Sequence, residues 1–150
     1  MAYMSQEKKA RLAPAIKAVL NKYGVKGSIK VGHHTSLEVT LQKGKLDLIG
    51  NQVALMRDPM RTRSGGISFN DTPENTERSI QYLLKGRNHQ VNPYYIDNQY
   101  TGACASFMKE LVAAMNDGNH DNSDIQTDYF DVGWYIHVNV GKWNKPYEVI

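Results

Sequence analysis

The chain has 150 residues, of which 41% are hydrophobic and 9% aromatic, and its formal net charge is +3. This length and composition fit a single domain over residues 1–150 with a real core, which excludes a globally disordered protein. The lone Cys104 excludes an intramolecular disulfide and a cysteine-rich zinc site, and the mild basicity permits contact with nucleic acid without requiring it.

The first twenty residues are charged where a secretory signal peptide needs an apolar run. No apolar stretch approaches the roughly 20 residues that span a bilayer. These features favour a cytoplasmic protein without a membrane partner.

Residues 5–23 have apolar residues at helical spacing, which predicts a helix at the start of the chain. Its apolar positions are Leu12, Ile16, Val19, Leu20 and Tyr23. Pro14 leaves two alternatives, a helix capped by Ser5 that kinks at the proline or a main helix that begins beside it. Gly24 is suited to end either helix in a left-handed conformation.

Period-two alternation follows and predicts three short antiparallel strands, near residues 29–31, 37–41 and 46–49. In this meander His33 and His34 lie at the first reversal. Residues 50–71 carry clustered charge, Pro59 and two consecutive glycines, so we expect a loop there, with one helical turn near residues 53–56 as an option.

Two further helices and a strand complete the pattern. A polar cap before Pro73 marks the start of one helix, and Gly86 marks its end. The other runs over residues 97–116, and its continuous apolar face is Tyr100, Cys104, Phe107, Met108, Leu111, Val112 and Met115. Apolar and polar residues then alternate strictly over residues 134–140, as in a half-buried strand, and residues 129–132 either pair with that strand or lead into it.

This order predicts an α+β two-layer sandwich, an antiparallel sheet of four to five strands with about three helices on one face. The residues on the face opposite Trp134 are then Tyr135, His137 and Asn139, with Lys30, Glu38 and Thr40 beside them. Such a face can stack bases or bind a protein, so Tyr135, His137 and Asn139 are a candidate binding surface. A solvated sheet face with no binding role explains the same pattern equally well.

Two short motifs, His34-Thr35-Ser36-Leu37 and His137-Val138-Asn139-Val140, resemble the paired tetrads with which one class of small phosphodiesterases holds phosphate. Asn139 replaces the expected hydroxyl and His34 falls in a turn, so two unrelated surface histidines are favoured. A phosphoesterase that uses His34 and His137 as acid and base near neutral pH is the alternative.

Three arginines cluster in the predicted loop before two glycines, namely Arg57, Arg61 and Arg63. Guanidinium forks and turning backbone N–H groups suit an anion. No Walker or dinucleotide motif accompanies them, so ordinary solvated charge is the competing explanation. They are nevertheless our first candidates for contact with an anionic partner.

The loop after the longest apolar helix partly resembles an EF-hand. Its ligand positions are Asp117, Asn119, Asp121 and Asp128. Asn122 replaces the usual glycine and a strand rather than a helix follows, so an ordinary loop rich in Asp and Asn is favoured. We expect no metal and no cofactor.

Both ends of the chain, residues 4–31 and 127–147, resemble small proteins of tailed bacteriophages and related mobile elements. The resemblance implies an accessory protein made in a bacterial cell, and it carries no catalytic residues. We therefore predict a non-enzymatic binding protein that engages nucleic acid or a host protein through the Arg57–Arg63 loop and the sheet face. An oligomer that pairs through a sheet edge is a third hypothesis.

Overall fold

The structure is a computed structural model, and it describes residues 3–57, 73–93, 96–119, 133–142 and 145–150. The first helix, α1, spans Gln6–Tyr23. The Ser5 hydroxyl accepts a hydrogen bond from the backbone N–H of Lys8 at 3.1 Å, and Gly24 ends the helix at a φ of 66°. Pro14 therefore lies inside one helix that Ser5 caps, and the alternative in which the main helix begins beside the proline is wrong. The buried side of α1 is formed by Leu12, Ile16 and Leu20.

The strands β1 (Val25–Gly32) and β2 (Ser36–Gly44) form an antiparallel hairpin. His33 and His34 turn the chain with φ angles of 49° and 59°, and the Thr35 N–H donates to the Gly32 carbonyl at 3.1 Å. Two successive positive φ angles closed by this bond are typical of a type I′ turn, whose twist matches the flanking strands. The predicted reversal at the two histidines is confirmed.

The predicted third strand at residues 46–49 is wrong, because a helix, α2, spans Leu48–Met56. A short apolar run fits a buried strand or a buried helix equally well. Here the Asp47 carboxylate accepts a hydrogen bond from the backbone N–H of Gly50 and caps the helix. The predicted loop over residues 50–71 is therefore helical at its start, and residues 58–72 lie outside the described part of the chain.

Two more helices follow, α3 (Pro73–Gly86) and α4 (Gly102–Met115). The bounds of α3 agree with the prediction. The predicted helix over residues 97–116 is confirmed from Gly102 onward, but its first turn is a separate 3-10 turn at Ile96–Asn98. Gly102 follows that turn with a φ of 55°, a conformation that suits glycine.

Helices α1 and α4 pack side by side. The Tyr23 and Phe107 rings meet edge to face, with centroids 5.4 Å apart. Glu110 accepts hydrogen bonds from the Lys22 ammonium, at 2.7 Å, and from the Tyr23 hydroxyl. These two donors hold the pKa of the Glu110 carboxyl below its usual range.

The described residues form a five-stranded sheet that also contains β3 (His89–Val91), β4 (Tyr135–Val140) and β5 (Glu148–Val149). The strand order is β1-β2-β4-β3, and β5 pairs with β2 beyond the end of β4. Strands β4 and β5 run parallel to β2, whereas β3 runs antiparallel to β4. The α+β class is confirmed, with four helices in the described ranges.

The prediction of an antiparallel sheet is corrected to a mixed one. A tight turn forces β1 and β2 to be antiparallel, but the chain between β2 and β4 contains several helices and can return in either direction. The short strand β3 lies in a segment for which the sequence predicts no strand. Residues 129–132, a predicted partner or lead-in of β4, lie outside the described part.

One face of the sheet packs against the helices and forms the core with them. The buried apolar strand residues of this layer are Val25, Leu37, Val39, Leu41, Val91, Val138 and Val140. Trp134 is 3% exposed, and its indole N–H donates to the Met115 carbonyl at 3.1 Å, which confirms its predicted place in the core. Within the described ranges, no helix combines the length and apolarity needed to cross a membrane.

Candidate functional site: a polar sheet face

Polar side chains from four neighbouring strands share the sheet face opposite the helices. The register aligns Lys30 with Glu38 and Glu38 with His137 in one row. The next row joins Ser28, Thr40, Asn139 and Gln90 across β1, β2, β4 and β3. We call this set of eight residues the polar sheet face: Ser28, Lys30, Glu38, Thr40, Gln90, Tyr135, His137 and Asn139.

Strict alternation explains how the sequence builds this face. Along β2, the apolar residues Leu37 and Val39 point to the helices, so Glu38 and Thr40 point away from them. Strand β4 follows the same alternation, which places Tyr135, His137 and Asn139 beside them. The predicted neighbours are therefore correct, and their role in binding stays a prediction.

The two charged members of the first row interact only weakly. The Lys30 ammonium lies 3.6 Å from the Glu38 carboxylate, and the Lys30 side chain is 71% exposed. An exposed ion pair contributes less than about 1 kcal/mol because water and salt screen it. Lys30 is thus free to exchange this partner for a stronger anion.

His137 is held by strand β3. The Gln90 side-chain nitrogen lies 3.4 Å from Nδ1 of His137, in a long hydrogen bond. If the amide donates, Nδ1 accepts and the neutral ring carries its proton on Nε2. Nε2 is then a donor for a ligand on the polar sheet face.

Tyr135 is the exposed aromatic residue of this face. Its side chain is 47% exposed, and its backbone N–H donates to the Thr35 carbonyl at 2.9 Å. The neighbouring Trp134 is buried, so it fixes the start of β4 while Tyr135 points to solvent. A rigid strand therefore presents a phenol ring beside the His137 imidazole.

Two lysines extend the face at the far end of the hairpin, and sequence reasoning missed both as site residues. Lys26 and Lys43 are direct cross-strand partners, so their side chains share one face, and alternation from Lys30 makes it the polar one. A register shift between Lys26 and Gly27 leaves Gln42 unpaired on β2. This bulge interrupts the plain alternation of β2 at Lys43, so the face on which Lys43 lies could not be predicted from the sequence.

The structure separates the two histidines of the phosphoesterase hypothesis. His34 lies in the hairpin turn, and its carbonyl accepts a hydrogen bond from the Met4 N–H at 2.7 Å. His33 and His34 line a half-open pocket of about 480 Å³ with Val31 and the start of α1, whereas His137 belongs to the polar sheet face beside Gln90. Within the described part of the chain, His34 and His137 do not line a common pocket.

Arg57, the described member of the arginine cluster, follows the last turn of α2. Its guanidinium lies 3.2 Å from the Glu77 carboxylate of α3, and both side chains are about half exposed. A hydrogen bond from Gln81, together with this guanidinium, lowers the pKa of Glu77. Arg57 therefore joins two helices, and Arg61 and Arg63 lie outside the described residues.

The two described members of the Asp-rich loop have structural partners. The Asp117 carbonyl accepts a hydrogen bond from the Arg11 guanidinium at 3.1 Å. The Asn119 amide bonds both the N–H and the carbonyl of Trp134, each at 2.9 Å. Asp121 and Asp128 lie outside the described ranges, and within those ranges no group of three His, Cys, Asp or Glu residues is placed to hold a metal ion.

Comparison of the chain with protein-family models, with curated proteins and with solved structures found no match. The α+β class therefore follows from the arrangement of the helices and strands themselves. A fold alone does not define a function, so the function has to be argued from the chemistry of the polar sheet face.

Proposed function

We propose that this protein is a non-enzymatic binding protein that holds single-stranded nucleic acid on its polar sheet face. In keeping with the resemblance of its chain ends, it would act as a phage- or mobile-element-type accessory protein in the bacterial cytoplasm. One observation carries the proposal: the register of four strands puts an exposed tyrosine, an imidazole and two amides on one face, with lysines at the β1 side of that face.

Each chemical part of a single strand has a matching group on this face. The Tyr135 ring offers a platform for a base, and stacking of this kind contributes about 1–3 kcal/mol per base. His137 and Asn139 offer hydrogen bonds to base edges. Lys26 and Lys30 stand on the outer strand, where they can contact phosphates.

The shape of the face favours single strands over duplexes. Sequence-specific contact with single-stranded nucleic acid uses splayed bases that stack on aromatic side chains of a sheet. A duplex keeps its bases stacked on one another and presents grooves, which a helix or ribbon enters more readily than a broad sheet does.

Fluorescence anisotropy with a labelled single-stranded oligonucleotide tests the proposal. The informative variant is Tyr135→Ala, with Tyr82→Ala as the control, because Tyr82 is 82% exposed and lies on α3. Loss of one stacked base weakens binding by about 5- to 150-fold. The control should bind like the wild type, and a labelled duplex should bind more weakly than the single strand.

A salt titration separates phosphate contacts from other contacts. For a single strand, each phosphate contact adds about 0.7 to the magnitude of the slope of log affinity against log salt. Lys26→Gln and Lys30→Gln should each lower that slope by about this amount, whereas Lys17→Gln on α1 should leave it unchanged. Equal affinities of the Tyr135→Ala and Tyr82→Ala variants would reject the site.

The rival phosphoesterase hypothesis has its own signature. If His34 and His137 acted as acid and base, the oligonucleotide would be hydrolysed and either substitution to alanine would abolish that hydrolysis. Binding without turnover, lost in Tyr135→Ala, supports the binding protein instead.

A further inference from the structure

Strand β1 is the long edge of the sheet. It lies first in the strand order and, within the described part of the chain, pairs only with β2. Every residue from Lys26 to Val31 is at least partly exposed. An antiparallel edge strand leaves alternate N–H and C=O groups unpaired, so β1 is a template for a further strand. The other edge, β3, has only three residues.

The two sides of this edge differ in chemistry. Lys26 and Lys30 point to the polar side, and β1 contains no acidic residue. Ile29 and Val31 point to the helix side, where they are only partly buried against the core. A strand placed along β1 would therefore meet cations on one side and apolar surface on the other.

A pocket lies at the end of the same strand. Val31 contributes to its wall, together with His33 and His34 of the turn. The segment before and at the start of α1 supplies the remaining lining residues, namely Tyr3, Met4, Ser5 and Gln6. The pocket has a volume of about 480 Å³ and opens to solvent. Because Val31 points to the helix side, the pocket lies where the apolar side chains of an added strand would point.

We propose that β1 binds an extended peptide segment of a partner protein, which adds as a sixth strand. Its acidic side chains face Lys26 and Lys30, its apolar side chains face Ile29 and Val31, and a terminal apolar side chain enters the pocket. In this mode of recognition, main-chain hydrogen bonds provide affinity and side-chain pockets provide specificity. The proposal shares Lys26 and Lys30 with the proposed nucleic-acid surface, but its main-chain pairing uses the edge of the sheet, which nucleic-acid binding does not need.

The length of the edge sets the length of the peptide. At about 3.3 Å per residue, the exposed part of β1 matches roughly six residues of an extended partner. A suitable probe is therefore an acetylated, amidated heptapeptide of alternating Val and Glu that begins and ends with Val. Its pattern is the same in both directions, so it fits whether the added strand runs parallel or antiparallel to β1.

Backbone methylation of the peptide tests the main-chain pairing without altering the protein. In an extended strand, alternate N–H groups point to the same edge, so methylation of all Glu nitrogens blocks one edge and methylation of all Val nitrogens blocks the other. When the Glu side chains of the peptide face Lys26 and Lys30, the direction in which the peptide runs along β1 determines which of its two edges pairs with β1. We expect calorimetry to show that one methylated peptide loses binding and the other retains it. Because the pattern fits in both directions, the result that would reject strand addition is undiminished binding of a peptide methylated at every backbone nitrogen, which has no edge left to pair.

Charge reversal tests the side-chain part. The double variant Lys26→Glu/Lys30→Glu should weaken peptide binding by about tenfold or more at low salt, since two ion pairs are lost and repulsion replaces them. The matched control Lys9→Glu/Lys17→Glu carries the same charge change on α1 and should bind normally. A backbone amide NMR spectrum should show shifts confined to β1, the His33–His34 turn and the pocket.

Two further outcomes decide between this inference and its rivals. Tyr135→Ala should keep full peptide affinity while it loses the oligonucleotide, so failure of either proposal is seen separately. A dimer in sedimentation whose β1 amides are protected from hydrogen exchange would overturn the inference, because the occupant of the edge would then be a second copy of the chain.

Discussion

Two buried tyrosines give a sharp test of the packing at the centre of the molecule. Tyr100 and Tyr147 are both 0% exposed. The Tyr147 hydroxyl donates a hydrogen bond to the Leu46 carbonyl at 2.7 Å, which ties the C-terminal segment to the start of α2. The Tyr100 hydroxyl has no hydrogen-bond partner among the residues that the structure describes.

Substitution by phenylalanine should therefore have opposite effects at the two positions. Tyr147→Phe removes a hydrogen bond and leaves the Leu46 carbonyl without its donor, which should lower the free energy of unfolding by about 1–2 kcal/mol. Tyr100→Phe removes a buried polar atom that makes no such bond and leaves the ring in place, so stability should stay equal or rise by up to about 1 kcal/mol. For a chain of this size, 1 kcal/mol corresponds to a shift in Tm of about 2–4 °C.

Urea unfolding followed by circular dichroism measures both variants against the wild type. The slope of free energy against urea should stay constant, so the change should appear in the midpoint alone. Tyr147→Phe should unfold at lower urea than Tyr100→Phe. Equal midpoints, or a loss of more than about 1 kcal/mol in Tyr100→Phe, would refute the assignment of the two hydroxyls.

The same tyrosines also predict alkaline behaviour: burial, the main cause, raises the pKa of both phenols above the ordinary 10.0. As the pH rises, these two phenols lose their protons in the unfolded chain before they do so in the folded protein. Their contribution to the free energy of unfolding should therefore be complete below about pH 10 and fall at higher pH. Urea titrations over roughly pH 9 to 11 should show a shallower fall for Tyr100→Phe than for the wild type. Asn119→Ala should cost about 1–3 kcal/mol in the same assay, because it leaves the N–H and the carbonyl of Trp134 unpaired. Asn21→Ala, at an exposed position on α1, is the matched control, and an equal loss in both variants would contradict the role of Asn119.

Local patterns in the sequence determined the parts of this fold that depend on neighbouring residues. The apolar stripe of α4 and the alternation from Trp134 to Val140 fix which side chains face the core, because the period of a helix or strand sets their direction. The same holds for the turn at His33 and His34 and for the C-cap at Gly24. As a result, the shared face of Tyr135, His137 and Asn139 could be predicted from the sequence alone.

Some local patterns were ambiguous on their own. The run from Leu46 to Ile49 is short and apolar, which suits a strand or a helix, and only the Asp47 cap and the packing of Leu48 against the core select the helix. The three residues of β3 are too few to show a period at all. Such segments take their structure from the partner that they pack or pair with.

Tertiary structure alone decided the direction and the neighbours of the later strands. Parallel pairing of β4 with β2 brings His137 next to Glu38, and the bulge at Lys26 brings Lys43 onto the polar sheet face. It also left β1 at the edge and placed the pocket at its end. No sequence period encodes these facts, because they depend on contacts between residues far apart in the chain, and both proposed binding surfaces depend on them.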